Sequence, residues 1–134
     1  MKAETNLQQL LQKMNPVLNK GEYVFCLLKT LANVDLQDVL FFFREDEGST
    51  ILVTKAYADK HQFAYDYVAA WITLNVYSSL QAVGLTAAFS NALASSNISC
   101  NVVAAYNHDH IFVAINDGLK AMEILKELAA SANS

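Results

Sequence analysis

The spacing of apolar and polar positions divides the chain into alternating helical and extended segments. Leu7, Leu10, Leu11 and Met14 recur at helical spacing, with Thr5 or Asn6 placed to cap the start and Pro16 to end the helix. Asn19-Lys20-Gly21 is a turn signal, and Tyr23–Leu28 is a continuous apolar run of strand length, expected to be buried on both faces. Residues 30–37 predict a loop or short helical turn. Val39–Arg44 and Thr50–Thr54 predict a hairpin around Glu45-Asp46-Glu47-Gly48, where Gly48 is free to take a positive φ. Residues 55–62 predict a short polar helix.

The second half is more regular. Trp71–Val76 alternates, with Trp71, Thr73 and Asn75 on one face and Ile72, Leu74 and Val76 on the other. Ser78 and Ser79 are candidate caps. A helix is predicted from about Val83 to Ser95, with Leu85, Phe89, Ala92 and Leu93 on one stripe and Asn97 in a left-handed conformation at its end. Ile98, Cys100, Val102 and Ala104 alternate with Ser99, Asn101 and Val103. Residues 106–109 turn the chain, and Ile111, Val113 and Ile115 form a further strand. Asp117 is placed to cap a last helix that would turn Leu119, Met122, Leu125 and Leu128 inward, followed by a frayed tail over residues 129–134.

The order strand–helix–strand–strand–helix in residues 71–128 is a split βαβ arrangement lacking its last strand. The fold class expected is therefore α+β, with ferredoxin-like βαββαβ units made of antiparallel sheets with helices on one face. Each half offers strands and a helix in similar order, and the first half is irregular where its first crossover helix should be.

Composition adds a constraint on assembly. Hydrophobic residues make up 54% of the 134 residues and charged residues 16%. So little charge leaves few residues to coat a surface, and a second copy of the chain is expected to cover part of the apolar area. Nine basic residues are scattered within a net charge of −4, which argues against nucleic acid as a partner. No run reaches the roughly eighteen apolar residues of a membrane span, and the polar start carries no apolar signal core, so the chain is expected in the cytoplasm. Cys26 and Cys100 lie within apolar runs and are expected to be reduced, buried thiols.

Candidate chemistry is sparse. His108 and His110 fall on one face of a strand and could share a metal, but His61 is the only other histidine and no cysteine is close in sequence; a polar hairpin turn with surface histidines is the better explanation, and a pH-sensitive contact with a ligand or partner suits the pair as well as a metal does. Arg44-Glu45-Asp46-Glu47 suits a solvated turn. The Ser-Ser pairs at 78–79 and 95–96 lack a nucleophile-elbow context, and there is no Gly-rich phosphate loop. No enzyme activity, metal or cofactor is expected.

Val83-Gly84-Leu85, the stripe Leu85/Phe89/Leu93, the segment Ile98-Ser99-Cys100-Asn101-Val102 and the strand Asp109–Val113 resemble, in that order, the ACT domain. The stretch Leu18–Phe25 through Arg44–Gly48 resembles a group of small bacterial ACT-containing proteins in which a divergent ACT-like half precedes a clearer one. The resemblance implies two halves, residues 1–68 and 69–134, packed as one compact unit, with a strand from the first half, such as residues 23–28, closing the second. It also implies a homodimer or an intertwined pair joined by sheet extension, and a module that binds a small molecule, an amino acid first among candidates. The ligand would lie between Val83, Gly84 and Leu85 on one side and Ser99, Cys100 and Asn101 on the other, with Ser78 and Ser79 at the rim. Helix-start N–H groups there favour a carboxylate. The alternative is a ligand-free structural or protein-interaction module, in which Gly84 only eases helix–sheet packing, Asn101 only pairs with a neighbouring strand, and the Phe41–Phe43 face and sheet edges meet a protein partner.

Overall fold

The computed structural model describes residues 6–133. Thr5, one of the two expected caps, lies outside the described residues. The elements are helices α1 (Leu7–Lys13), α2 (Lys55–Lys60), α3 (Leu85–Ala94) and α4 (Gly118–Ser131). The strands are β1 (Pro16–Leu18), β2 (Tyr23–Leu28), β3 (Phe41–Glu45), β4 (Gly48–Thr54), β5 (Val68–Leu74), β6 (Asn101–Ala104) and β7 (Asp109–Ala114). The chain is α+β with antiparallel pairing throughout the strand registers given below, and it forms two compact units. One is the inserted segment Lys20–Ala69; the other combines the described residues up to Asn19 with those from Ala70 onward.

The unit built from both ends of the chain buries the even-numbered face of β5. Ile72 and Leu74 join Ile111 and Val113 of β7 beneath Phe89 and Leu93 of α3 and Leu125 of α4. Strand alternation sends these four side chains to one face, and the helical stripe meets them. β7 lies between β5 and β6, and β6 pairs with it in the register Asn101↔Phe112 to Ala104↔Asp109. The closing strand is β1, not residues 23–28. Pro16, Val17 and Leu18 pair antiparallel with Leu74, Thr73 and Ile72. A proline at the first position of a strand costs no ladder bond that the neighbour needs. α1 packs on α3 and α4, capped by Asn6, whose Oδ1 accepts from Gln9 N at 3.1 Å.

Two expectations for α4 fail. Leu119 is 75% exposed, whereas Gly118, Ala121 and Leu125 face inward. Asp117 occupies the N-cap position without a side-chain cap bond. The tail through Asn133 is also fastened rather than frayed. Gln8 and Gln12 of α1 both donate to the Ala132 carbonyl, the latter at 2.9 Å, and Asn133 Nδ2 donates to Ala129 O at 3.0 Å. Carbonyls at a helix C-terminus lack intrahelical donors, and these amides supply them.

The inserted unit is a three-stranded antiparallel core. β4 pairs with β2 and β3, and β2 also pairs with the first residues of β5 through Tyr23↔Ala69 and Val24↔Val68. Where a crossover helix would stand, the chain makes only a 3-10 turn at Leu36–Asp38, held by Asp35 accepting from Gln37 N. Val24, Cys26, Ile51, Val53 and Ala58 form the core with α2, whose cap is Thr54, accepting from Tyr57 N at 3.1 Å. Both faces of β2 are covered over its first residues, with Tyr23, Val24 and Cys26 buried and Phe25 half-buried, whereas Leu27 near its end is exposed. The face opposite that core carries cross-strand rows. Phe25, Leu52 and Phe41 oppose one another, as do Leu27, Thr50 and Phe43. Phe25 and Phe41 make an edge contact at 6.2 Å. Gly48 closes the hairpin at φ +151°, with the Leu28 carbonyl 2.6 Å from where a Cβ would sit, so any side chain must displace backbone.

Replacing Phe89, which is fully buried, by Ala should cost about 3–5 kcal/mol. Replacing exposed Leu119 by Ala should stay within about 0.5 kcal/mol. Urea denaturation of both variants checks this helical phase, and a costly Leu119→Ala would refute it.

Candidate functional site

The residues expected to hold a ligand all lie in the unit built from both chain ends. They fall in the loop that leads from β5 into α3 and in the segment that leads from α3 into β6. The loop does not begin a helix at Ser78 or Ser79. Ser78 is buried, and Ser79 Oγ accepts from Gln81 N at 3.0 Å, a local turn. Val83 precedes the helix and is 83% exposed. Gly84 is the N-cap of α3 at φ +103°, with no side-chain cap, and its carbonyl accepts from Ala88 N at 2.9 Å. The space beside its Cα is occupied: Leu7 of α1 has a methyl 3.0 Å from where a Cβ would be. Gly84 therefore eases close packing of α1, and a ligand would meet its N–H side rather than its Cα. Leu85 is buried in the core.

On the other segment, Asn97 takes the left-handed conformation at φ +60°. β6 is shorter than the alternation suggested and opens at Asn101. Ser99 is exposed and Cys100 half-buried. The Cys100 side chain packs against the core, and burial pushes its thiol up to about 11, so it stays protonated at neutral pH and offers a ligand only its backbone. Cys26 and Cys100 are both free thiols. Asn101 Nδ2 donates to Phe112 O at 3.3 Å, tying the strand pair.

A polar cluster that the strand pattern did not single out as a unit lies on the face of β5 and β7 away from α3 and α4. Trp71 Nε1 donates to His110 Nδ1 at 3.0 Å, and Thr73 Oγ1 lies 3.2 Å from the same nitrogen. Asn19 Nδ2 donates to Thr73 Oγ1 at 3.0 Å and to Trp71 O at 3.2 Å. The Trp71 and Phe112 rings stack at 6.4 Å. His108 Nδ1 donates to Val76 O at 3.1 Å, holding the loop that carries Ser78 and Ser79. The two histidines thus share a face but point their Nδ1 atoms at different protein groups. Among the described residues, no three His, Cys, Asp or Glu come together as metal ligands would. Burial, and then the nearby His108, hold His110 below the usual histidine value. Burial raises the Asp109 carboxyl, an effect that His108 partly opposes.

In the inserted unit, a shallow depression of about 430 Å³ is lined by Gly21, Glu22, Thr54, Lys55, Ala56 and Asp59. Lys55 Nζ and Asp59 pair at 3.0 Å, and Tyr65 Oη donates to Asp59 at 2.6 Å. Lys55 and Asp59 thus satisfy each other in the open.

This arrangement is a ferredoxin-like α+β fold of the ACT type. Models of the ACT domain match residues 2–70 and 67–127, and the chain belongs to the ACT domain family. It is 41% identical to a Vibrio cholerae protein of unknown function, described as a possible transport protein. That likeness covers 92% of this chain and 95% of the other, with a TM-score of 0.83. The regulatory subunit of aspartate kinase from Thermus thermophilus, in ligand-free form, shares the fold at 10% identity, with a TM-score of 0.64 over 87% of this chain and 96% of that one. Clostridium acetobutylicum aspartate kinase shares it at 14% identity and a TM-score of 0.61, over 85% of this chain but 34% of the enzyme. No protein of curated function matches by sequence. Among the described residues no helix is long and apolar enough to cross a membrane.

The raised Asp109 carboxyl makes a test of the local electrostatics. The folded protein takes up this proton more readily than the unfolded chain, whose carboxyl titrates near 3.8. The group's contribution to stability therefore falls as pH rises from about 3.8 through the folded value, and at neutral pH its charge is a burden. Asp109→Asn should raise the urea midpoint at pH 7 and give no gain near pH 3. A variant less stable at pH 7 would show that the carboxylate makes a favourable contact outweighing its burial.

Proposed function

We propose that this chain is a cytoplasmic, homodimeric regulatory module that binds a small molecule, most simply an amino acid, and performs no chemistry of its own. The observation that carries this reading is the start of α3 in a member of the ACT family. A ten-residue helix begins at a glycine that no side chain caps, in a loop that His108 holds in place. Backbone N–H groups at such a start favour a carboxylate. Ser78, Ser79, Val83, Gly84 and Leu85 supply the loop. Ser99, Cys100 and Asn101 supply the facing segment, with backbone carbonyls for the ammonium group. Signalling follows if the ligand binds one arrangement of the dimer better than another.

A thermal-shift screen of the twenty amino acids tests this. A ligand at a hundred times its Kd stabilises by about 2.7 kcal/mol, a shift of several degrees. Val83→Asp, at an exposed position, should abolish the shift by repelling a carboxylate while leaving the unliganded melting temperature unchanged. No shift with any amino acid would remove the amino-acid reading.

A second reading, a ligand-free interaction module, draws on the inserted unit. Phe43 is 68% exposed in β3, beside exposed Phe42, and Leu27 shares its face. Exposed aromatic rows of this kind mark interaction surfaces. Sedimentation across a concentration series should show a dimer for the wild type, and a Phe43→Glu monomer would place the contact on this face. A wild-type monomer at every concentration would remove the homodimer.

A further inference from the structure

We propose that His110 is a proton-operated switch on the outer face of β5 and β7: protonation exchanges the hydrogen bond from Trp71 Nε1 to His110 Nδ1 for one from His110 Nδ1 to Thr73 Oγ1. The chemistry of the three groups dictates this exchange. An indole N–H only donates, so Nδ1 must be the accepting nitrogen in the neutral ring, and the proton of the neutral ring sits on Nε2. The imidazolium carries protons on both nitrogens and can no longer accept from Trp71. Thr73 lies 3.2 Å away on the same strand as Trp71, and its hydroxyl can rotate from donor to acceptor. Asn19 holds that hydroxyl from the far side at 3.0 Å, so the oxygen stays in reach in both states.

The surroundings assign the trigger to His110 alone. On β5 the facing groups are Trp71 and Thr73, neither of which titrates near neutrality. On β6 the cross-strand partner is Val103. Asn19 carries no charge. On β7, alternation sends Asp109 to the opposite face, and His108, two residues away, is the charge that acts on the ring. His108 itself donates Nδ1–H to Val76 O, a bond that survives protonation of its ring. One histidine thus fastens the loop at any pH, and the other changes partner with pH.

Burial and the His108 charge both oppose protonation of His110. The exchange therefore belongs to mildly acidic conditions, below the ordinary histidine value of about 6.5. Its sign for stability follows: the unfolded chain takes this proton more readily, so stability falls as pH drops below about 6.5 and levels off below the folded value. Because β5 runs from Trp71 directly into the loop at residues 75–84, acid acts on the strand that carries that loop.

NMR of the full chain tests it, since Trp71 is the single tryptophan. In the wild type at neutral pH, the ring nitrogens of His110 should show the Nε2–H tautomer; an Nδ1–H tautomer would overturn the proposal without any variant. The Trp71 indole N–H resonance should shift upfield through one inflection below pH 6.5. A flat titration down to acid unfolding would also overturn it. In His110→Gln, whose side-chain oxygen accepts at every pH, the inflection should vanish; its persistence would assign the titration elsewhere and sink the idea. His108→Gln should raise the midpoint by removing the opposing charge, and Thr73→Val should lower it by removing the imidazolium's acceptor. A midpoint unmoved by Thr73→Val would refute the partner exchange.

Discussion

The apolar face shared by β5 and β7 must be kept from water, and the unit built from both chain ends is arranged around that requirement. Ile72, Leu74, Ile111 and Val113 present a sheet face that only helices can cover. Each such side chain stabilises by about 1.5–3 kcal/mol when fully buried, so leaving the face open would exceed the margin of a small domain. α3 and α4 meet it with Phe89, Leu93 and Leu125. α1 is recruited by the same need, since Leu10 and Met14 complete the cluster. A first-half helix and strand thus serve the second half's core. The contact of Leu7 with Gly84 is one result, and the amide bonds from Gln8 and Gln12 to the end of α4 are another.

Covering one face of the strands leaves the other to different chemistry. Alternation makes every second residue of β5 and β7 available on the outer side. There the sequence places Trp71, Thr73, His110 and Phe112 instead of a uniform apolar row. An aromatic stack buries area while the indole N–H, the imidazole and the hydroxyl satisfy one another. A partly buried histidine in such a network is kept neutral by its surroundings, so the network depends on pH in a way the aliphatic face does not. In the inserted unit the corresponding outer face is aromatic and aliphatic, and Phe43 and Leu27 remain open to solvent.

What was legible in the sequence follows from the size of each signal. The alternation from Trp71 to Leu74 in β5 and the stripe of α3 show their period, though β5 begins three residues earlier, at Val68; β2 and β4 show as apolar runs of strand length, and the hairpin at Gly48 is marked by its turn residues. β1 has three residues, too few to alternate, so the strand that closes the unit was sought in the longer run at 23–28 instead. In α4, Met122, Leu125 and Leu128 pack on the core as their spacing predicts, but Leu119 does not, because leucine spacing alone marks too wide a stripe. Gly118 and Ala121 turn inward instead, since the helix approaches Ala70 closely: a Cβ on Gly118 would lie 3.2 Å from that of Ala70. Small residues carry little hydrophobic signal yet decide such contacts. The continuous run of β2 could not reveal that Leu27 is left exposed while Tyr23 on the same face is buried, because an exposed apolar residue looks the same in sequence as a buried one.

The candidate ligand loop illustrates a further limit. Gly84 and its neighbours were legible as a family pattern, but a positive-φ glycine serves packing and ligand approach by the same means, the lack of a Cβ. Its φ of +103° disfavours any side chain whether or not a ligand comes, and Leu7 packs into the space beside its Cα. Its presence is therefore no argument for a ligand, and the case must rest on the N–H groups of α3. Those groups remain suited to a carboxylate whatever fills the space beside the Cα, because the helix dipole and the missing cap are properties of the helix start. A ligand bound there would be read through the loop that His108 anchors to β7. The two polar fastenings of that strand pair, one indifferent to protonation and one sensitive to it, then set how firmly the loop is held.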